Sequence, residues 1–106
     1  MECQWIVSAW TRSQFFLIDH NIDIMLISET HFTSKSYIKI PNYTIYDTQH
    51  PDGKAHGGTA IVIRNSIKHY EAEKFNKDYL QSTNVVIDNL TGPLTISAIY
   101  CPPIHY

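Results

Sequence analysis

A layered α/β (α+β) domain is the fold class this sequence predicts, and three observations predict it. The first is Ile22-Asp-Ile-Met-Leu-Ile27, a nearly unbroken apolar run that ends abruptly in Ser28, Glu29, Thr30 and His31. It is too short to cross a membrane and reads as a strand buried on both faces. The second is the stretch before it, which starts and stops like a helix, so that helix and buried strand form the αβ half of a layered fold. The third is a second apolar run, Gly58 to Arg64, followed by two strand-like segments that suggest an antiparallel hairpin.

The totals narrow the class further. At 106 residues the chain makes one domain at most. A content of 43% hydrophobic and 17% charged residues fits an ordinary globular segment and excludes a disordered tail. Net charge is −2 and the eight Lys and Arg form no patch, which argues against autonomous tight binding of nucleic acid. Cys3 and Cys101 stand at opposite ends with no Cys-x-x-Cys unit, so a reduced intracellular protein is expected, without a zinc knuckle or disulfide framework. The first ten residues lack a basic region and a long apolar segment, so no secretory signal or membrane association is expected. The sequons at Asn42 and Asn89 then read as chance matches.

In chain order, Trp5 to Ala9 is a weakly bounded strand. Thr11-Arg-Ser-Gln14 has the form of a capping box, in which hydroxyl and amide reciprocally satisfy free backbone donors, and it predicts a helix from Arg12 to His20. Asn21 follows as a left-handed stop residue, with Ile22 able to pack back on the last turn. Phe32 to Pro41 reads as a loop. Asn42 to Thr48 alternates as a strand, with Tyr43 and Ile45 on one face and Thr44 and Tyr46 on the other. Pro51-Asp-Gly53 marks a turn within a surface connection from Gln49 to Gly57. Lys68 to Glu71 is an edge strand. Ser82 to Asp88 and Pro93 to Tyr100 form the hairpin, joined by Asn89-Leu-Thr-Gly92, and Cys101-Pro-Pro103 ends it because proline has no ladder donor. The expected tally is one helix and roughly five or six strands, mostly antiparallel.

Few residues announce chemistry by themselves. His56-Gly-Gly-Thr-Ala60 has neither the Lys-Ser/Thr of a P-loop nor the spacing of a dinucleotide fingerprint, so its glycines serve strand entry. His50, Asp52 and His56 could share a zinc ion, although they meet no recognised ligand spacing. Glu29 leaves the carboxyl end of a buried strand, where layered sheets form their ligand crevices, and is a metal or phosphate-handling candidate. Its plainer reading is a solvated loop carboxylate. Tyr100 shares parity with Leu94, Ile96 and Ala98, as a core or edge tyrosine would.

Taken in order, Phe16-Leu-Ile-Asp-His-Asn-Ile-Asp-Ile-Met-Leu-Ile-Ser-Glu-Thr-His-Phe32, Ile40-Pro-Asn-Tyr43, His50-Pro-Asp-Gly-Lys-Ala-His-Gly-Gly-Thr-Ala-Ile-Val-Ile63 and Ile96-Ser-Ala-Ile-Tyr-Cys-Pro-Pro103 resemble the endonuclease domain of non-LTR retrotransposons of the jockey-like kind. That domain belongs to the endonuclease/exonuclease/phosphatase superfamily, with its DNase I-like sandwich of two sheets. The resemblance runs from Arg12 to Pro103 and implies that 1–106 is a single partial domain, a fragment lacking its C-terminal half. It puts the family's metal-binding carboxylate on Glu29, in Ser-Glu-Thr, and its phosphate-side tyrosine on Tyr100, in Ile-Tyr-x-Pro-Pro. The implied cofactor is Mg²⁺, the implied partner is DNA, and the implied location is the nucleus. The family's activity is to nick DNA and leave a 3′-hydroxyl that primes reverse transcription.

Two departures qualify that inheritance. No Asn precedes Asn21, so the family's Trp-Asn-x-Asn-Gly-like constellation on its first strand is missing. The Gly-Asp-Phe-Asn motif and the Asp-His pair that follow Ile-Tyr-x-Pro-Pro in the family do not occur between Tyr100 and Tyr106. Such groups act as a unit, so the expectation is a stretch that does not cleave DNA alone. A half-domain is also expected to leave a sheet face exposed, to be marginally stable and to self-associate through that face. The alternative is a non-catalytic interaction module that keeps the half-domain fold.

Overall fold

The computed structural model describes residues 21–30, 39–53, 57–89 and 91–101. Within them the chain builds β1 (Ile24–Ser28), β2 (Tyr43–Thr48), β3 (Thr59–Arg64), β4 (His69–Glu71), β5 (Phe75–Lys77), β6 (Leu80–Ile87) and β7 (Leu94–Tyr100). The strand at 5–9 and the helix at 12–20 lie outside the described residues, as do His31 and His56. No helix among the described residues is long and apolar enough to cross a membrane.

The first sheet has the order β1-β3-β2, and β3 is antiparallel to both neighbours. In the second sheet β6 is central: β7 runs along one edge, while β4 and β5 pair with successive parts of the other. The two sheets pack face to face, β3 over β6 and β7, β2 over β6 and β1 over β7. The alternation of side chains explains this arrangement. Ile61 and Ile63 point to the inner layer with Val85 and Ala98, whereas Ala60 and Val62 join Ile40 on the outer face. β3 is thus apolar at both parities, as its continuous apolar run predicted. Full burial of each Val or Ile stabilises by about 1.5–3 kcal/mol relative to exposure.

Three expectations need correction. β1 is not buried along both faces, because Leu26 is 46% exposed. It ends the described order of its sheet, and its side toward β7 opens as a shallow groove lined by Leu26 and Ile99. The expected open sheet face is likewise not an inner one, since each sheet covers the other over most of that layer. The large apolar side chains that stay exposed among the described residues are Leu26 at the groove, Tyr79 between β5 and β6, Leu94 at the start of β7, and Tyr70, Phe75 and Ile99 on the outer side of the second sheet. The third is the tally of roughly five or six strands: the described residues form seven, because Phe75-Asn76-Lys77, which carries no alternating pattern, becomes a strand where β6 presents a ladder to it, from Phe75↔Ser82 to Lys77↔Leu80. The hairpin strand therefore begins at Leu80, two residues before the expected Ser82.

Side chains at the far end fix where β1 starts. Arg64 donates from Nε to Asp23 Oδ1 at 3.0 Å, and from Nη2 to Asn21 Oδ1 at 2.8 Å and Ile22 O at 3.0 Å. Its guanidinium also lies 5.1 Å from the centroid of the Tyr43 ring. Asn21 has φ 51°, the left-handed backbone expected of it, while the helix it was expected to end lies outside the described residues.

Tyr46 and His69 bridge the sheets. His69 Nδ1 lies 2.6 Å from the Ile67 carbonyl, which can only accept, so Nδ1 carries the proton and Nε2 accepts from the Tyr46 hydroxyl at 3.0 Å. Burial, then the charge of Glu71, pushes the Tyr46 phenol above its ordinary 10.0. The folded state therefore holds this proton more tightly than the unfolded chain. That contribution is complete below about pH 10 and is lost as pH climbs through the raised value. Urea unfolding from pH 8 upward is expected to show a steeper alkaline loss of stability in the native chain than in Tyr46→Phe.

Candidate active site

The carboxyl end of β1, the entry to β3 and the end of β7 meet at one end of the sandwich. There the chain leaves β1 through Glu29, a non-glycine residue with φ 56°. Left-handed backbone is uncommon for glutamate and costs of order 1–3 kcal/mol unless its surroundings enforce it, so such residues cluster at functional sites. The enforcement is visible in the next residue. Thr30 is 1% exposed and its N–H donates to Gly58 O at 3.3 Å.

Glu29 itself is exposed, and Tyr100 is half-buried beside it, near enough for the carboxylate to act on its hydroxyl. The structure thus brings together the two residues singled out in the sequence, which stand 71 positions apart (100 − 29) on different sheets. Burial, then the hydrogen bond to Glu29, then the charges of Glu29 and Cys101, raise the Tyr100 phenol above its ordinary value. Near neutral pH Tyr100 is consequently a protonated hydrogen-bond donor.

Beneath the pair the inner layer is polar. Thr48, Thr59, Thr83 and Gln81 are essentially inaccessible to solvent. Each hydroxyl has one proton to give, and a single direction satisfies the set: Thr59 to Thr83 Oγ1 at 2.9 Å, Thr83 to Thr48 Oγ1 at 2.9 Å, and Thr48 to Ser82 O at 3.0 Å. Thr30 Oγ1 is buried and has no partner among the described residues. This threonine layer escaped the sequence reading, because a threonine in a strand fits a wet face or a dry one equally well and only the facing sheet decides.

Gly57 (φ 61°) and Gly58 (φ 85°) turn the chain into β3. A Cβ on Gly58 would lie 2.7 Å from Thr30 Oγ1 and 3.0 Å from Thr48 O, so the glycine is needed for contact as well as for φ. His50 also reaches this corner, its Cδ2 being 3.5 Å from where a Gly57 Cβ would stand. Its Nδ1 lies 3.1 Å from Asp52 Oδ1 and 3.3 Å from the Asp52 amide, so the protonated ring donates to the carboxylate and the neutral ring accepts from the N–H. Among the described residues no three His, Cys, Asp or Glu side chains gather as a metal cluster, and the zinc set of His50, Asp52 and His56 has its third member outside them.

Comparison with known proteins now bears on the site. The endonuclease/exonuclease/phosphatase family matches residues 5–106. The chain belongs to that family. It is 34% identical over 103 residues, 93% of its length, to an RNA-directed DNA polymerase from mobile element jockey of Drosophila melanogaster, and 32% identical over 103 residues to the jockey counterpart of Drosophila funebris. It is also 36% identical over 89 residues to a probable RNA-directed DNA polymerase from transposon X-element of Drosophila melanogaster. The chain spans about a tenth of the length of these relatives. An endonuclease/exonuclease/phosphatase domain of the kind carried by non-LTR retrotransposon polyproteins is therefore the setting in which Glu29 and Tyr100 meet.

The donor set at this corner is compatible with a hard cation. Mg²⁺ binds proteins through one or two carboxylates while retaining several waters, and the exposed Glu29 carboxylate is chemically compatible with such an ion. The unpartnered Thr30 hydroxyl beside it is a further polar group with no competing protein acceptor among the described residues.

Proposed function

We infer that this domain is the amino-terminal part of a Mg²⁺-dependent DNA phosphodiesterase. In this reading Glu29 holds the metal, Tyr100 donates a hydrogen bond to the phosphate, and residues 1–106 by themselves do not turn over. The observation that carries the reading is the meeting of Glu29 and Tyr100 at the shared end of two sheets, close enough for the carboxylate to raise the phenol. A bound Mg²⁺ would supply Lewis-acid stabilisation of charge on a phosphate under attack. Glu29 offers the anionic oxygen for it, from an exposed position just past the end of β1. Tyr100 keeps its proton at neutral pH and can turn it from the carboxylate to a phosphate oxygen, where a fixed donor counts most as charge develops. DNA as partner, and a nuclear site of action, follow from the same reading.

A supercoiled-plasmid nicking assay with Mg²⁺ tests this, run on the 106-residue chain and on Glu29→Gln, each alone and fused to the downstream residues of a jockey-like relative. The expected result is no nicking by the short chains, nicking by the native fusion, and loss of it in the Glu29→Gln fusion. Nicking by the short chain that disappears in Glu29→Gln would overturn the inactive reading and keep the site. A native fusion that folds and never nicks would favour the non-catalytic interaction module.

A further inference from the structure

Gln81 is fully buried at the start of β6, and both ends of its amide are engaged. Oε1 accepts from the Gly58 N–H at 3.1 Å, and Nε2 donates to Lys77 O at 2.5 Å. Across the β6–β7 ladder its partner is Tyr100, so the amide and the phenol stand side by side on the inner face. Between them lies Gly57. A Cβ there would fall 2.8 Å from Gln81 Oε1 and 3.3 Å from Tyr100 Cε2, so the missing side chain is the gap in which amide, ring and corner meet. The corner also reaches Glu29, because the Gly58 carbonyl accepts from the amide of Thr30, the next residue. One side chain on β6 therefore holds the corner that stands against the Tyr100 ring and that bonds the residue after Glu29. Farther along this face β6 carries Thr83, which bonds Thr59 and Thr48, and then the apolar Val85 and Ile87. At position 81 the opposing sheet presents a backbone N–H, which must be satisfied when buried.

We propose that Gln81 is a positioning residue of the site, holding the Gly57–Gly58 corner against the Tyr100 ring and so fixing the phenol where it meets Glu29. The proposal rests on the reading of Glu29 and Tyr100 given above. Removal of the amide frees the Gly58 N–H, lets the corner move outward, and releases one side of the Tyr100 ring.

The test is NMR at neutral pH on the 106-residue chain with ring-labelled tyrosine, comparing native, Gln81→Met and Glu29→Ala proteins. Met matches glutamine in length and makes neither hydrogen bond. The Gly58 amide is expected to exchange about tenfold faster in Gln81→Met, with the β2–β3 ladder amides unchanged, because a local opening is separate from global unfolding. The Tyr100 ring resonances are expected to move in the direction seen for Glu29→Ala. A folded Gln81→Met whose Tyr100 resonances stay at their native positions would overturn the proposal, since a purely structural amide predicts that outcome. Should Gln81→Met not fold, Gln81→Asn, one methylene short of Gly58, carries the same expectation with a smaller displacement. Adding Mg²⁺ to the native chain separates the two readings. If it leaves Glu29 and Tyr100 unmoved, the metal-site reading fails, and the ring shift in the Gln81 variants still decides the positioning role.

Discussion

Gly58→Ala is expected to lower stability by about 2–5 kcal/mol, a large fraction of the total in a domain whose stability is of order 5–15 kcal/mol. Two terms add. An alanine at φ 85° has left the region that L-residues favour, which costs about 1–2 kcal/mol. Its Cβ then meets Thr30 Oγ1 at 2.7 Å and the Thr48 carbonyl at 3.0 Å, and overpacking of that kind costs about 1–3 kcal/mol. The backbone carbonyl cannot rotate away, and Thr30 is held by its own amide bond to Gly58 O. Gly53→Ala is the internal control. It has φ 75° with nothing within 4 Å of the added carbon, so it is expected to lose only the conformational part, about 1 kcal/mol. Urea midpoints of the two variants measured side by side read the difference. Equal losses would mean that the corner is not packed as closely as described.

Glu29→Gln carries the largest expected effect on activity. In the fused protein of the nicking assay it should reduce Mg²⁺-dependent nicking by about 10²–10³-fold, the scale on which a preorganised group facing developing charge acts. Folding should be spared, because the side chain is exposed and an amide oxygen can still accept a hydrogen bond beside Tyr100. Nicking rate against Mg²⁺ concentration separates the causes. Loss that higher Mg²⁺ partly recovers places Glu29 on the metal, whereas an unchanged Mg²⁺ dependence with a lower rate would remove it from that role.

Much of the fold is legible in the residues, and the reason is periodicity. Ala60-Ile-Val-Ile63 is apolar at both parities, which only a strand covered on two faces tolerates, and β3 is that strand. Asn89-Leu-Thr-Gly92 between two strand-like runs predicts a hairpin, and β6 pairs with β7 from Gln81↔Tyr100 to Ile87↔Leu94. Where periodicity is silent the reading fails. β5 has no pattern of its own, and Leu26 looks as buried as its neighbours until its place on β1, facing the groove to β7, is known.

The site divides along the same line. The sequence by itself determined that Glu29 ends an apolar strand and that Tyr100 closes the last one, through local order and resemblance to a family that the comparisons then bear out. It also determined that residues 57 and 58 bear no side chain. Only the tertiary structure decided that these pieces share one corner, because two sheets must be laid face to face before residues 71 positions apart (100 − 29) can touch. Gln81 and the threonine layer belong wholly to that second kind of knowledge. Their polar atoms find partners on the opposing sheet, and a polar residue in a strand does not reveal whether it faces water or a buried N–H until that sheet is in place.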